Sequence, residues 1–320
     1  MANTAIRMVA NNWDHFQPIA CGDVAPEGID FTLDRKTSIG AFPADTTIDM
    51  SETSFSLYLL GLARGDRDLV GIPVFPMRSF RHRCFLVRSD SPKQDFPDLV
   101  GKRIGTDAWP NSGNTWSRAA IRERGVDITH MTWVVGPVED LNTIQHNRVA
   151  VEYPPHVVQA PEGKTLIGML LDGEVDALLI PWAPREVFTP GSRIVHLFRD
   201  FRAAEKAYYQ RVGYCPGLHV VAMRRTVFER DPSVAPRLVA AFDESKRRWR
   251  EDRRKFADTT PWILAELEET ALTLGEDWQP SGVEANRKML AAFCEEQMAQ
   301  GLVPQALDPD IAFADYAAVT

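Results

Sequence analysis

An α/β protein built as two lobes is the architecture this sequence predicts. Its 320 residues exceed the roughly 250–300 that one hydrophobic core serves. From Lys102 onward, apolar runs of strand length alternate with helical periodicity, the pattern of a parallel sheet with helices on both faces. A polar stretch with two prolines, Ser89–Pro97, breaks that pattern where a crossing between lobes is expected. The resulting division is 1–88 plus 215–320 for lobe one and 89–214 for lobe two.

The elements follow in order. Ala5–Ala10 and Ile29–Leu33 read as strands, the second entered from the turn Pro26-Glu27-Gly28. Ser54–Arg64 has helical spacing, with Ser54 as its cap and Gly65 as its stop. Leu69–Phe75 and His82–Val87 are strands, and Pro73 and Pro76 mark the first as ending at an edge or a functional loop. Then come strand Lys102–Thr106, helix Asn114–Arg124 with Gly125 at its C′ position, and strand Met131–Val135. Thr165–Leu171 is a helix stopped by Gly173, Val175–Ile180 is a strand running into Pro181, and Ile194–Phe198 is another strand. Val212–Met223 is strand-like and crosses back. Beyond Arg224 the chain is helical over Val234–Phe256, Pro261–Leu274 and Glu284–Gln300. The first of these helices carries Lys246-Arg247-Arg248 and Arg253-Arg254-Lys255, interrupted by Glu251 and Asp252, which reads as a solvated face rather than a binding tail.

Composition narrows the function. A net charge of −8 is the reverse of a nucleic-acid binder's balance, although it leaves room for a local basic pocket. No window approaches the ~18 apolar residues of a membrane helix, and Met1–Phe16 lacks an apolar signal core, so a cytoplasmic chain with no membrane partner is expected. Cys21, Cys84, Cys215 and Cys294 form no C-x-x-C pair. The histidines at 15, 82, 130, 146, 156, 196 and 219 show no metal-ligand spacing, so no metal is expected. Neither a dinucleotide or Walker fingerprint nor a G-x-S-x-G elbow is present.

The most informative string is Phe80-Arg81-His82-Arg83-Cys84, which with Arg78 and Arg88 places four arginines and a histidine within eleven residues. Strand alternation would put Arg81 and Arg83 on one face and His82 on the other. Such arginines either grip a carboxylate bidentately or protect an edge strand with charge. Asp49-Met50-Ser51-Glu52-Thr53-Ser54 offers hydroxyls and carboxylates at an expected helix start, where anions bind and where caps also sit. Gly105-Thr106-Asp107 and Gly113-Asn114-Thr115 form a second strand-loop-helix turn. Trp109, Trp116 and Trp182 stand at loops or a helix start, as core aromatics or as faces for a flat ring. His219 opens an apolar strand after Tyr214-Cys215-Pro216-Gly217-Leu218.

Several strings in order resemble the 4,5-dihydroxyphthalate decarboxylase family. They are Gly22-Asp23-Val24 with Pro26-Glu27-Gly28-Ile29-Asp30, Ser51-Glu52 with Ser54, and Ala63-Arg64-Gly65-Asp66. The most specific is Ile72-Pro73-Val74-Phe75-Pro76 followed by Phe80-Arg81-His82. Gly101–Gly105, Leu170–Ala177 and Gly282–Arg287 continue the likeness nearly end to end. The resemblance implies a fold like type II periplasmic solute-binding proteins, two Rossmann-like α/β lobes with a ligand cleft between them. It also implies loss of one carboxylate from an aromatic ortho-diacid to give protocatechuate and carbon dioxide, without an organic cofactor. Departures are the shorter 37–47 stretch, Trp13-Asp14-His15-Phe16, and Trp182 where an arginine is common.

Decarboxylating an electron-rich ring requires cationic anchors, a proton donor at the ring carbon and a base for the hydroxyl. On residue type and position, Arg81 and Arg83 are the expected anchors, and Glu52 the acceptor of the hydroxyl proton; the donor is His82 or His219, with His82 first because its string is the more specific. Ser51, Ser54, Thr106, Trp109, Thr115 and Trp182 complete the expected contacts to a small aromatic carboxylate. The alternative on the same architecture is a solute-binding or sensor protein for a small organic anion.

Overall fold

A computed structural model describes residues 3–39, 42–140 and 151–320, so His146 and part of the 37–47 stretch lie outside the described residues. The strands are β1 (Thr4–Asn11), β2 (Ile29–Lys36), β3 (Met50–Ser54), β4 (Leu69–Ile72), β5 (Phe85–Arg88), β6 (Arg103–Thr106), β7 (Thr132–Val135), β8 (Val157–Gln159), β9 (Ala177–Leu179), β10 (Ile194–His196) and β11 (His219–Arg224). They form one sheet of order β2-β1-β3-β11-β4 and another of order β10-β5-β9-β6-β7-β8.

The chain divides into two compact units. Unit 1 is Met1–Arg78, Gly217–Cys294 and Leu307–Thr320, and unit 2 is Ser79–Pro216 and Glu295–Ala306. The boundary falls earlier than residue 88 for a physical reason. β5 hydrogen-bonds to β9 and β10, so the segment after Arg78 belongs to the second sheet. Residues 295–306, expected in lobe one, join unit 2, where Glu296 binds Arg122 and Gln300 binds Arg118.

Both sheets are mixed rather than wholly parallel. β1 pairs in parallel with β2 and β3, and β6 with β7 and β9, as the alternation predicts. β11 runs antiparallel to β3 and β4, and β5 antiparallel to β9 and β10. β5 and β11 are the first strands after the chain passes from one unit to the other, so neither follows a crossover helix of its own sheet.

In unit 1, Ile6, Met8 and Ala10 of β1, Ile72 of β4, Val221 of β11 and Phe242 of the helix Val234–Lys255 share one core. That helix keeps its basic residues on a solvated face. Arg247 pairs with Glu244 and Glu251, Arg248 with Glu244, Arg250 with Asp277, Arg253 with Asp14 and Arg254 with Glu276. Lys246 is the exception, buried with its ammonium on Gln279 O at 2.7 Å and Asp243 at 2.7 Å. In unit 2, Leu86, Val134, Leu166, Leu170, Leu178 and Ile180 pack together.

Helix stops follow the sequence. Gly65 (φ 86°) and Gly125 (φ 73°) take the left-handed conformation that L-residues avoid. The helix Phe201–Val212 has no counterpart in the periodicity, because Tyr208 is its only buried residue and no apolar stripe marks it.

Candidate active site

β3 carries Ser51, Glu52 and Thr53, all buried, between β1 and β11. The string expected at a helix start is therefore the middle of a sheet, and the helix begins only at Phe55. Pairing on both sides outweighs the capping tendency of Ser, Asp and Thr. β1 lies parallel to β3 with Val9 opposite Ser51, which brings Asn11, the last residue of β1, alongside Glu52.

Glu52 is 1 % exposed and its carboxylate is fully engaged. Oε2 accepts from the Asn11 backbone N–H at 2.9 Å and from the Trp13 indole N–H at 2.8 Å. Oε1 accepts from Asn11 Nδ2 at 3.1 Å and bonds His219 Nδ1. Burial opposes ionisation of Glu52, but the hydrogen bond and charge of His219 together with the Asn11 and Trp13 donors outweigh it. The carboxyl lies below its ordinary range. The His219 side chain is 24 % exposed. With Nδ1 held by a buried carboxylate, Nε2 is the nitrogen left for an outside partner.

His15 sits in the turn after β1 with its ring stacked on Trp13, centroids 6.3 Å apart. It is 5 % exposed. Burial drives it down to about 4, against the pull of Asp14. It is uncharged near neutral pH.

Unit 2 places the Arg81 string outside any strand. Arg81 precedes a 3-10 turn, His82–Cys84, so the alternation of faces expected for a strand does not apply. Arg81 is 1 % exposed, which excludes the edge-charge reading. Its Nε donates to Gly113 O at 3.1 Å and to Ser117 Oγ at 3.3 Å, on the helix Ser112–Glu123. Among the described residues neither Nη1 nor Nη2 has a partner. A guanidinium fork with both terminal nitrogens unused inside a protein suits a planar oxyanion. Arg83 is half-buried and donates to Ser79 Oγ at 3.1 Å.

His82 is a member of the unit 2 interior. Its ring lies within 5.4 Å of Phe96, 5.2 Å of Phe198 and 5.4 Å of Tyr208, centroid to centroid. Burial, reinforced by the Arg211 charge, drives it down to about 4, and Nδ1 is buried without a partner among the described residues. A proton donor at neutral pH needs the opposite environment.

The remaining expected residues divide between the units. Ser51 donates to the Glu52 carbonyl at 2.8 Å, and Ser54 stands opposite His219 in the β3–β11 register. In unit 2, Thr106 accepts from Asn114 Nδ2 at 2.9 Å, and Thr115 donates to the Asn111 carbonyl at 2.9 Å. Trp109 is wholly buried with Arg118 stacked 3.7 Å above its ring, a core role rather than a loop-tip one. Trp182 is 46 % exposed and in no strand or helix. The partners of Glu52 that sequence reasoning missed are Asn11 and Trp13. Asn11 had one signal, its place at the carboxyl end of a strand. Among the described residues no three His, Cys, Asp or Glu side chains gather as a metal set, and no helix is long and apolar enough to cross a membrane.

No family model matches the chain. It is 32 % identical to the 4,5-dihydroxyphthalate decarboxylase of Comamonas testosteroni over 97 % of this chain and 96 % of that protein. It is 33 % identical to the 4,5-dihydroxyphthalate decarboxylase of Pseudomonas putida over 65 % of this chain and 83 % of that one. Among solved structures, the periplasmic aliphatic sulphonate binding protein SsuA of Escherichia coli matches with a TM-score of 0.53 at 17 % identity, covering 97 % of this chain and 99 % of its own. The desulfurization enzyme DSZB matches with a TM-score of 0.53 at 14 % identity, over 99 % of this chain and 100 % of its own. At such identities the structural likeness shows the fold alone, that of the periplasmic binding proteins.

Proposed function

The chain belongs to the 4,5-dihydroxyphthalate decarboxylase family, and from that membership we propose that it removes one carboxylate from 4,5-dihydroxyphthalate or a close hydroxylated aromatic diacid, leaving protocatechuate and carbon dioxide. The ring carbon bearing the departing carboxylate gains a proton, the carbon–carbon bond breaks, and its electron pair stays with the ring. One proton is consumed per carbon dioxide, and the step needs no oxidant or reductant.

The observation that carries this reading is the Glu52–His219 pair: a buried carboxylate on Nδ1 of a partly exposed imidazole. His219 in its protonated form gives the Nε2 proton to the ring carbon and regains it from solvent. Glu52 stabilises the imidazolium and fixes the ring's orientation. With four donors on its two oxygens, Glu52 is assigned this orienting role instead of accepting the hydroxyl proton. His82, neutral within an aromatic cluster, is assigned to the core. Arg81 is proposed as a carboxylate anchor on its own geometry within unit 2. Ser51 and Thr106 are assigned to supporting hydrogen bonds.

The test is a thermal-shift screen with aromatic diacids and their hydroxylated forms, followed by assay of carbon dioxide release on any hit. Release of carbon dioxide from 4,5-dihydroxyphthalate with formation of protocatechuate is expected. Stabilisation without turnover by every ligand would favour a binding or sensor protein.

A further inference from the structure

Trp13 lies in neither β1 nor β3, yet its indole N–H reaches Glu52 Oε2 at 2.8 Å. The turn that carries it is tightly held. Trp13 N donates to Asn11 O at 2.7 Å, Phe16 N donates to Trp13 O at 3.2 Å, and the indole stacks on His15, whose edge meets Phe16 and Trp249. The other donors to Glu52 Oε2 and Oε1 from this side both come from Asn11 at the end of β1. Trp13 is thus the side chain that anchors Oε2 from outside the sheet, while Oε1 meets His219.

We propose that Trp13 is a positioning residue for proton transfer: its indole N–H orients the Glu52 carboxylate so that Nδ1 of His219 keeps its hydrogen and Nε2 faces the substrate. The inference rests on the reading of His219 as the proton donor. Without the indole donor, Oε2 keeps only the Asn11 backbone N–H among the described residues, and the carboxylate is free to turn away from Nδ1 of His219. The other charged or titratable groups around this turn are accounted for. Asp14 is paired with Arg253, Lys246 with Asp243, and His15 is neutral near pH 7.

The test uses the full-length protein labelled with nitrogen-15 histidine, with the His219 signals assigned by their loss in His219→Gln. In wild type, neutral His219 should be a single tautomer protonated at Nδ1. In Trp13→Phe, the tautomer protonated at Nε2 should appear beside it, and kcat should fall about 10-fold with little change in KM. Should Trp13→Phe fold poorly, 3-benzothienylalanine incorporated at position 13 keeps the bicyclic shape and removes only the N–H. A folded variant whose His219 tautomer equals that of wild type overturns the proposal, because a purely structural role would lower stability without changing the tautomer. If the tautomer changes but His219→Gln keeps full turnover, the positioning role stands and the proton-donor reading falls.

Discussion

His219 and Glu52 lie on adjacent antiparallel strands two positions out of step: His219 is opposite Ser54, and Glu52 is opposite Val221. Side chains two residues apart share a face of the sheet, so the diagonal brings the imidazole Nδ1 onto the carboxylate. The pairing of β3 with β11 thereby joins residues 167 positions apart in the chain. It engages Nδ1 of the imidazole with Glu52 and leaves Nε2 on the other side of a ring that is 24 % exposed.

In unit 2, the unused fork of Arg81 makes a separable prediction. Lysine keeps the charge but loses the two parallel donors. Arg81→Lys should weaken binding of an aromatic diacid by about 10-fold and Arg81→Ala by about 10²-fold, the scale of one or two lost charge-assisted hydrogen bonds. Calorimetric titration of both variants checks this, and wild-type affinity in both would reduce Arg81 to a structural cation.

His82 offers a contrast. Its ring packs among Phe96, Phe198 and Tyr208, and its buried Nδ1 has no partner among the described residues. Phenylalanine keeps the ring contacts and removes the unpaired polar atom. His82→Phe should keep turnover within about two-fold and unfold at a urea midpoint equal to or above wild type, since an unsatisfied buried group costs about 1–3 kcal/mol. A large loss of turnover in a folded variant would return His82 to the chemistry.

The same burial predicts acid sensitivity. His15 and His82 ionise at about 4 in the fold, against 6.5 ordinarily. Between those values the unfolded chain binds protons that the folded chain excludes, so stability falls as pH drops from 6.5 to about 4 and stops falling below. At ~1.4 kcal/mol per pH unit, each imidazole accounts for roughly 3 kcal/mol over that window. Glu52, held below its ordinary value, adds a further loss once pH falls through its folded value. Urea midpoints measured across pH 7.5 to 4 should decline, and His82→Phe should decline less than wild type. A flat profile in wild type would contradict the burial of both rings as neutral groups.

Much of the fold is written in local pattern. The apolar alternation of β1, β6 and β7 and the stops at Gly65 and Gly125 are legible because each reports a single strand or turn. Glu52 and His219 were both legible as candidates, but their contact was not, since it depends on the register of two distant strands. Ser51-Glu52-Thr53 reads locally as a helix start, and only pairing with β1 and β11 makes it a strand. The string at Arg81 reads as a strand because a 3-10 turn of three residues, His82–Cys84, is too short to leave a period. Whether a histidine is exposed or enclosed by aromatics has no local signature. The more specific string ranks His82 ahead of His219 as the donor, and only their neighbours reverse that order.

The account rests most heavily on His219 as the group that hands a proton to the ring carbon, and single-turnover release of carbon dioxide from 4,5-dihydroxyphthalate measures that step directly. His219→Gln keeps a hydrogen-bonding side chain beside Glu52 but cannot supply a proton near neutral pH. Its rate should fall at least ~10²-fold below wild type with a smaller change in substrate affinity, within the range general acids contribute. A folded His219→Gln protein that releases carbon dioxide at the wild-type rate would contradict the account.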